Sequence, residues 1–582
     1  TIFTGNPQTD LDFFTQRGET FASVGTLAIG GNQGGQTIVQ LTRKGGRIVD
    51  PRRRSGHPSA TCLSDPVQAL GLQHDVEAAP KGSAILNTRN RFASRRDAQI
   101  LLDATDNPGR CHDQGVLGLI DAPNGGLEII DITNIDNPVE IGLTSHIGEA
   151  HTVNVDPKRP HIAYAVTSDA IGVSNGKREN EDPSDSDRFD LDGFEVVDLS
   201  SCMYFRAGTS VEAKRAACRP EVFRYRYPRT RMALGHTQKS GQQAVFGCHE
   251  LEIYPEDKIS CGSGNAAIAL DISKAFDDNG TPRKFTDDKP RGTALPCRVR
   301  DSSSEPPFRT GAKVTDCVVG GNGEDLTVPG WITLGRPSLT GVRWIGSVHH
   351  QGRGAGGAVR PANDATEDID FNHETEFTRS RKFLLATDER GGGVVPPGAT
   401  CTSLVDLKSG NGGVHAYRVD RLTRRGPRTA SQAQRAYART PRGAKAIFRA
   451  RPRTVVEPTF CTAHVMQQVP GQNRIFMGWY TQGTQVIDFV EHRNGRFEFR
   501  EAGFFIPELA NQWVSHVFKV RKNRNGTFTY WGATGDFNID GKSGRNAVDV
   551  YRVTLPAPPK AAARQRAGNR RGERRARPRF TG

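Results

Sequence analysis

Short runs in which apolar and polar residues alternate, bounded by Gly, Pro, Asn and Asp, fill the 582-residue chain. No long amphipathic helical period interrupts them, so the pattern predicts strands throughout. Two kinds of run recur. The first opens on a histidine: QHDVEA at His74, EAHTVNV at His151, GCHELEI at His249, FNHETEF at His373, TAHVMQQV at His464 and VSHVFKV at His516. The second follows within a few tens of residues and ends on a polar residue after an apolar stretch: GGLEIIDIT at Asp131, GFEVVDLS at Asp198, AAIALDIS at Asp271 and GTQVIDFV at Asp488. Weaker copies are GQTIVQLT at Gln40, GGVHAYRV at Arg418 and NAVDVYRV at Arg552, giving seven units, the first opening on Asp10 of TDLDFF where the others have histidine.

Each unit reads as about four short strands. The openings at 10, 74, 151, 249, 373, 464 and 516 are unevenly spaced, so loops of different length have been inserted into a common unit. Internal repetition overrides the several domains that length alone would suggest and predicts one closed array of small sheets. Ring closure would protect the edges of those sheets. The opening TIFTG is a candidate outer strand for the last unit, as is the closing PRFTG.

Composition agrees. Gly 64 and Pro 34 suit a turn-rich β chain, and no apolar run approaches the length of a membrane-spanning helix. Ten cysteines without a C-x-x-C pair point to disulfides in an oxidising compartment, and the expected bridges are Cys202–Cys218, Cys248–Cys261 and Cys401–Cys461. A start at Thr1 without a signal-like segment is what a processed secreted protein presents. The net charge of +14 is concentrated at one end: nine Lys or Arg and one Glu between Lys560 and Gly582 carry +8. That tail is expected to be solvated, with an anionic partner such as cell-wall polymer as its functional role. It lacks the aromatic interleaving of a nucleic-acid binder.

The stretch CHELEIYPEDKISCGSGNAAIALDIS, the stretch CTAHVMQQVPGQNRIFMGWYTQGTQVIDF, and GGLEIIDITNIDNPVEIG together resemble the LVIVD-repeat β-propeller proteins of secreted bacterial origin. The resemblance runs from about Asp10 to Leu555 and includes Cys248, Cys261, Cys401 and Cys461. It implies an all-β, seven-bladed β-propeller over 1–556 and a basic tail over 557–582. A more remote architectural similarity is to the selenium-binding and methanethiol-oxidase propellers, whose histidines bind copper. The chain departs from the family pattern at Lys177 to Asp192, Thr281 to Arg343 and Asn411 to Arg453, where its loops are long.

In such a ring the innermost strands line a central channel. His74, His151, His249, His373, His464 and His516 are then expected at one mouth, where a subset would hold copper, zinc or a similar ion. Asp75, Glu250 and Glu374, which follow three of them, would hold the imidazole tautomers. The competing reading makes each histidine a structural bracket, bonded to the backbone of the next blade. His349, His350, Cys111, His112 and His236 are further candidates for lining the entrance.

GDFNIDGKSG places Asp536, Asn538 and Asp540 before Gly541, the opening of a calcium loop, although Ala547 replaces the usual bidentate Glu. Asp185, Asp187, Asp190 and Asp192 form a second acidic loop. No nucleophile elbow, phosphate loop, zinc-protease helix or dinucleotide fingerprint is present. The leading expectation is a secreted extracellular binding or scaffold propeller, engaging a polymer, a ligand or copies of itself. The alternatives are a copper-type oxidoreductase with a histidine site in the channel and a hydrolase with calcium there.

Overall fold

A computed structural model describes residues 2–3, 8–26, 37–42, 45–48, 75–78, 84–89, 126–135, 139–144, 150–167, 193–228, 248–264, 266–294, 298–301, 313–316, 338–350, 369, 371–389, 412–424, 444–451, 453, 462–536 and 547–559. They form seven antiparallel sheets around a channel, a seven-bladed β-propeller. The innermost strands are Gln8–Gln16, Val76–Ala78, Ala150–Val155, Glu250–Tyr254, Asn372–Phe377, Met466–Gln468 and Gln512–Lys522, numbered here as blades 1 to 7. The histidine-opening runs therefore begin the blades. The second kind of run supplies the third strand of each blade: Thr37–Thr42, Gly126–Asp131, Gly193–Asp198, Ala266–Asp271, Val414–Arg418, Thr484–Glu491 and Ala547–Leu555.

The aspartates that make those third strands recognisable are structural. Asp131, Asp198 and Asp271 each accept the backbone N–H two residues on, from Thr133, Ser200 and Ser273, at 2.9 to 3.0 Å. This fixes the turn that leaves the strand. Their other oxygens draw cations: Lys214 bonds to Asp131, and Arg343 to Asp271 at 2.5 Å. In blade 6 the buried Arg474 grips Asp488 with two N–H groups, at 2.6 and 2.8 Å.

Apolar side chains pack between blades rather than within them, because both faces of each sheet are covered by a neighbour. One cluster joins Leu127 and Ile129 of blade 2 to Val153 and Val197 of blade 3. Another joins Phe194 of blade 3 to Ile268 of blade 4. Ile2–Phe3 pairs with Ala547 and Val548, so the first strand completes the last blade and closes the ring as its sequence suggested.

Two disulfides, Cys202–Cys218 and Cys248–Cys261, match the expected pairing. Cys401 and Cys461 lie outside the described residues, as do the 557–582 tail beyond Pro559 and the Lys177 to Asp192 loop. The long Thr281 to Arg343 insertion of blade 4 is partly described. It passes blade 3, where Arg159 bonds to Asp288 at 2.7 Å, and adds Arg298–Asp301 and Lys313–Asp316 to the outer edge of blade 2.

Blades approach most closely where a second-strand glycine meets the next inner strand. A Cβ on Gly262 would lie 2.2 Å from the His373 carbonyl oxygen, on Gly478 2.4 Å from that of Trp513, and on Gly535 2.2 Å from that of Thr9. Backbone cannot yield there without moving a whole blade. Gly262→Ala and Gly478→Ala should each cost about 2 kcal/mol in denaturant unfolding, the scale of an overpacked core, whereas Gly526→Ala, on an open turn with positive φ, should cost less than half of that.

Candidate functional site

An innermost strand has a partner on one edge only. Its other edge faces the channel, where unpaired backbone N–H groups would be buried without a partner. The sequence answers this with polar side chains from the preceding blade, and they form two layers.

The upper layer is imidazole. His151, His249, His373 and His464 are almost fully buried and follow one another around the channel as tilted rings, with centroids 4.0, 4.4 and 4.0 Å apart. Trp513 continues the row, 4.3 Å from His464. The Nδ1 of His464 is 3.0 Å from the Trp513 carbonyl oxygen, and His151 bonds the His249 backbone, so these rings bridge one blade to the next. Irregular register at Ala150/Thr152 and Asn372/Thr375 marks β-bulges that aim the side chains inward. Burial lowers His151 to about 3 and holds His249 and His464 well below the ordinary imidazole range. His151, His249 and His464 are therefore neutral. Glu389, which follows the second strand of blade 5, approaches this layer: its Oε1 accepts from Tyr480 and lies 3.6 Å from His464 Nε2. One ligand atom each from His249, His373 and Glu389 lie within 4.8 Å of one another.

The predicted six-histidine ring is corrected at two positions. His516 is not in the row. Trp513 takes that level in blade 7, and His516 sits three residues further along, its Nδ1 3.1 Å from the Leu11 carbonyl. In blade 1 the counterpart is Thr9 rather than Asp10, since Thr9 meets Gly535 as His373 meets Gly262. His74 lies outside the described residues. His349 and His350 are buried against blade 5 at the outer strand of blade 4, where His349 Nε2 is 2.8 Å from Ser347 Oγ and His350 packs on Tyr417. They do not join the ring.

The lower layer is carboxylic. Asp10, Asp12, Asp75, Glu77, Glu250, Glu252, Glu374 and Glu376 line one cavity of about 280 Å³, together with Asn154, Gln467, Gln468 and His516. Among the described residues no Lys or Arg lines it. Backbone N–H and hydroxyl groups are the partners seen for Asp75, Glu250 and Glu374 among the described residues. Asp75 accepts Val153 N–H at 2.8 Å, Asp12 accepts Ala78 N–H at 2.9 Å, and Glu374 accepts Met466 N–H at 2.6 Å, each capping the open edge of the next blade. Glu250 accepts Thr152 Oγ1–H at 3.1 Å. Gln467 does the same office for Val517 N–H at 2.7 Å.

Eight acids in one enclosure repel. Two full charges about 5 Å apart cost roughly 3 kcal/mol at an effective dielectric of about 20, so they cannot all ionise unaided. Burial is the main cause that raises Asp10 to about 7, Asp12 to about 6 and Glu376 to about 7. It also holds Asp75, Glu77, Glu250, Glu252 and Glu374 well above the carboxylate range, with neighbouring acids adding to it. Asp12 hydrogen-bonds Glu77, and Glu374 hydrogen-bonds Glu376. Ligand atoms of Glu252, Glu374 and Glu376 lie within 4.8 Å of one another.

Of the proposed calcium loop, Asp536 is described: it is fully buried and accepts Asn511 N–H at 2.9 Å, a bracket across the first two strands of blade 7. Asn538 and Asp540 lie outside the described residues, as do Cys111, His112, His236 and the acidic loop at Asp185 to Asp192.

No protein-family model matches the chain, and no curated protein matches it. Among solved structures, Sqt1 from Chaetomium thermophilum matches at 7% identity over 93% of this chain and 84% of its own, with a TM-score of 0.34. The β-propeller domain of the Trilobed protease from Pyrococcus furiosus, described as having an open velcro topology, matches at 7% identity over 95% and 94%, with a TM-score of 0.27. Pyrococcus horikoshii acylaminoacyl peptidase matches at 7% over 94% of this chain and 51% of its own, with a TM-score of 0.28. These likenesses accompany the propeller architecture and carry no functional argument.

The two layers oppose each other in pH. Depressed imidazoles add stability above about pH 6.5 that is lost as the pH falls, whereas raised carboxyls add stability at low pH that is lost as the pH rises through about 6 to 7 and beyond. Above pH 6.5 only the carboxyls still change. In a chelator, the melting temperature should therefore fall between pH 6.5 and 8, and a Glu250→Gln/Glu374→Gln variant should flatten that fall; a chelated wild type with a level profile contradicts the layered electrostatics.

Proposed function

We propose that this chain is a cation-dependent binding propeller of the secreted, extracellular class, whose channel seats a hard divalent ion of the calcium type in its carboxylate layer. The single observation behind this reading is the convergence of eight carboxyl groups on one cavity that no Lys or Arg lines among the described residues. Calcium takes about six to eight oxygen ligands in flexible geometry, and the enclosure supplies carboxylates with the amides of Asn154, Gln467 and Gln468. Backbone N–H groups fix several of the acids, as Val153 does Asp75, Ala78 does Asp12 and Met466 does Glu374. An ion there would neutralise the repulsion and tie blades 1, 2, 4 and 5 together. The LVIVD-repeat resemblance and the two buried disulfides agree with an extracellular setting.

A second reading is favoured by His249, His373 and Glu389: a transition ion such as copper or zinc, serving an oxidoreductase at the upper layer. Neutral imidazoles suit it. Against it, His151, His249 and His464 each bond the backbone of the next blade, and the layer lies almost wholly buried.

Elemental analysis and calorimetry on full-length protein, purified without a histidine tag and then chelated, separate the two. Calcium should bind stoichiometrically at pH 7.5 and raise the melting temperature by several degrees. Glu250→Gln/Glu374→Gln should weaken it by at least about tenfold, with His249→Ala leaving calcium affinity intact. Retention of copper or zinc that His249→Ala abolishes, with no calcium uptake, would replace the first reading by the second.

A further inference from the structure

Blade 7 carries charge of one sign. Its inner strand outlasts the channel: past His516 it continues through Lys519, Val520, Arg521 and Lys522, all exposed, to a turn bearing Arg524. Arg552 of the third strand is exposed as well. The acids described on this blade, Asp536 and Asp549, are 0% and 3% exposed, so none offsets the cations at the surface. No ion pair to Lys519, Lys522, Arg524 or Arg552 occurs among the described residues, and Arg521 meets only the Asn523 side-chain oxygen, at 3.3 Å. By contrast, the half-buried Arg453 pairs with Glu501 at 2.7 Å.

The patch has an organised centre. Lys519, Trp531 and Arg552 stand in one cross-strand row, about 10 Å from end to end at the usual strand spacing. The half-buried Trp531 ring lies 5.3 Å from Lys519 Nζ and 5.5 Å from the Arg521 guanidinium. The indole and the two cations that lie over it form one compact aromatic and positively charged unit. The strand 547–555 that carries Arg552 leads within five residues into the segment with nine more Lys or Arg.

We propose that this face of blade 7 is a docking surface for a linear acidic polysaccharide, with Lys519, Arg521 and Arg552 meeting carboxylate or sulfate groups and Trp531 receiving the apolar face of a sugar ring. The row spans the scale of a disaccharide. A single aromatic ring with two cations over it is not a stacking ladder for successive bases, which favours a glycan over a single-stranded nucleic acid. The surface lies apart from the carboxylate layer, so binding here does not depend on the channel ion.

Polygalacturonate and heparin, with neutral dextran and a duplex DNA of matched length as comparators, should be titrated against full-length protein in chelator at several salt concentrations. Wild type should bind the acidic glycans and not dextran. Lys519→Ala/Arg521→Ala/Arg552→Ala should weaken glycan binding by at least about tenfold and reduce its salt dependence, with the melting temperature unchanged. Trp531→Phe should retain binding, and Lys519→Glu alone should weaken it more than Lys519→Ala. Undiminished glycan binding by the triple variant, or loss only when residues 560–582 are removed, overturns the proposal. So does tighter binding of DNA than of either acidic glycan.

Discussion

The open inner edge of each blade is the constraint from which the rest of this propeller follows. Seven strands run along a channel with one side unpartnered, in a space too enclosed for bulk water to serve every N–H. Acids and amides from one blade cap the backbone of the next, as Asp12 does for Ala78, Asp75 for Val153, Glu374 for Met466 and Gln467 for Val517. Histidines reach the adjoining carbonyls, as His464 does at Trp513. Each bond is local, yet together they set the distance between sheets, and the glycines at 262, 478 and 535 allow that distance to be short.

That solution has an electrostatic consequence. Carboxylates are good acceptors for stranded N–H groups, but repeating the device around a ring concentrates acids where water cannot screen them. A structural answer to an edge thus produces an anionic chamber with polar amides beside it. Above it the same strands place neutral imidazoles, whose burial disfavours charge. Function and architecture here draw on the same side chains, so neither can be changed separately.

Much of this was legible in the sequence, because repetition exposes what each blade needs. Histidine-opening runs mark the first strand of six blades and Asp-bearing runs the third strand of four, with weaker copies supplying the rest, and the first five residues were one of two readable closing strands. The phase of the site was harder. The inner strands of blades 1, 3, 5 and 7 all carry register shifts, and no simple alternation foretells which residue a bulge brings to the histidine level. The acidic chamber did leave a signal: acids stand one and three places after the histidine in HDVE, HELE and HETE, and DLD repeats the pair. Period-two geometry puts both on one face, so Glu77, Glu252 and Glu376 were readable beside Asp75, Glu250 and Glu374. Glu389 was not, since it belongs to a turn outside the repeat.

The insertion of blade 4 that crosses blade 3 to extend the sheet of blade 2 changes how the ring comes apart. In a propeller held only by neighbours, any blade can peel away once its two contacts open. Here the Arg159–Asp288 pair and the added strands splint three consecutive blades, making them one cooperative foldon in a molecule otherwise divisible into sevenths. Opening of the ring is thereby biased toward the opposite arc, on the side where the first and last strands meet.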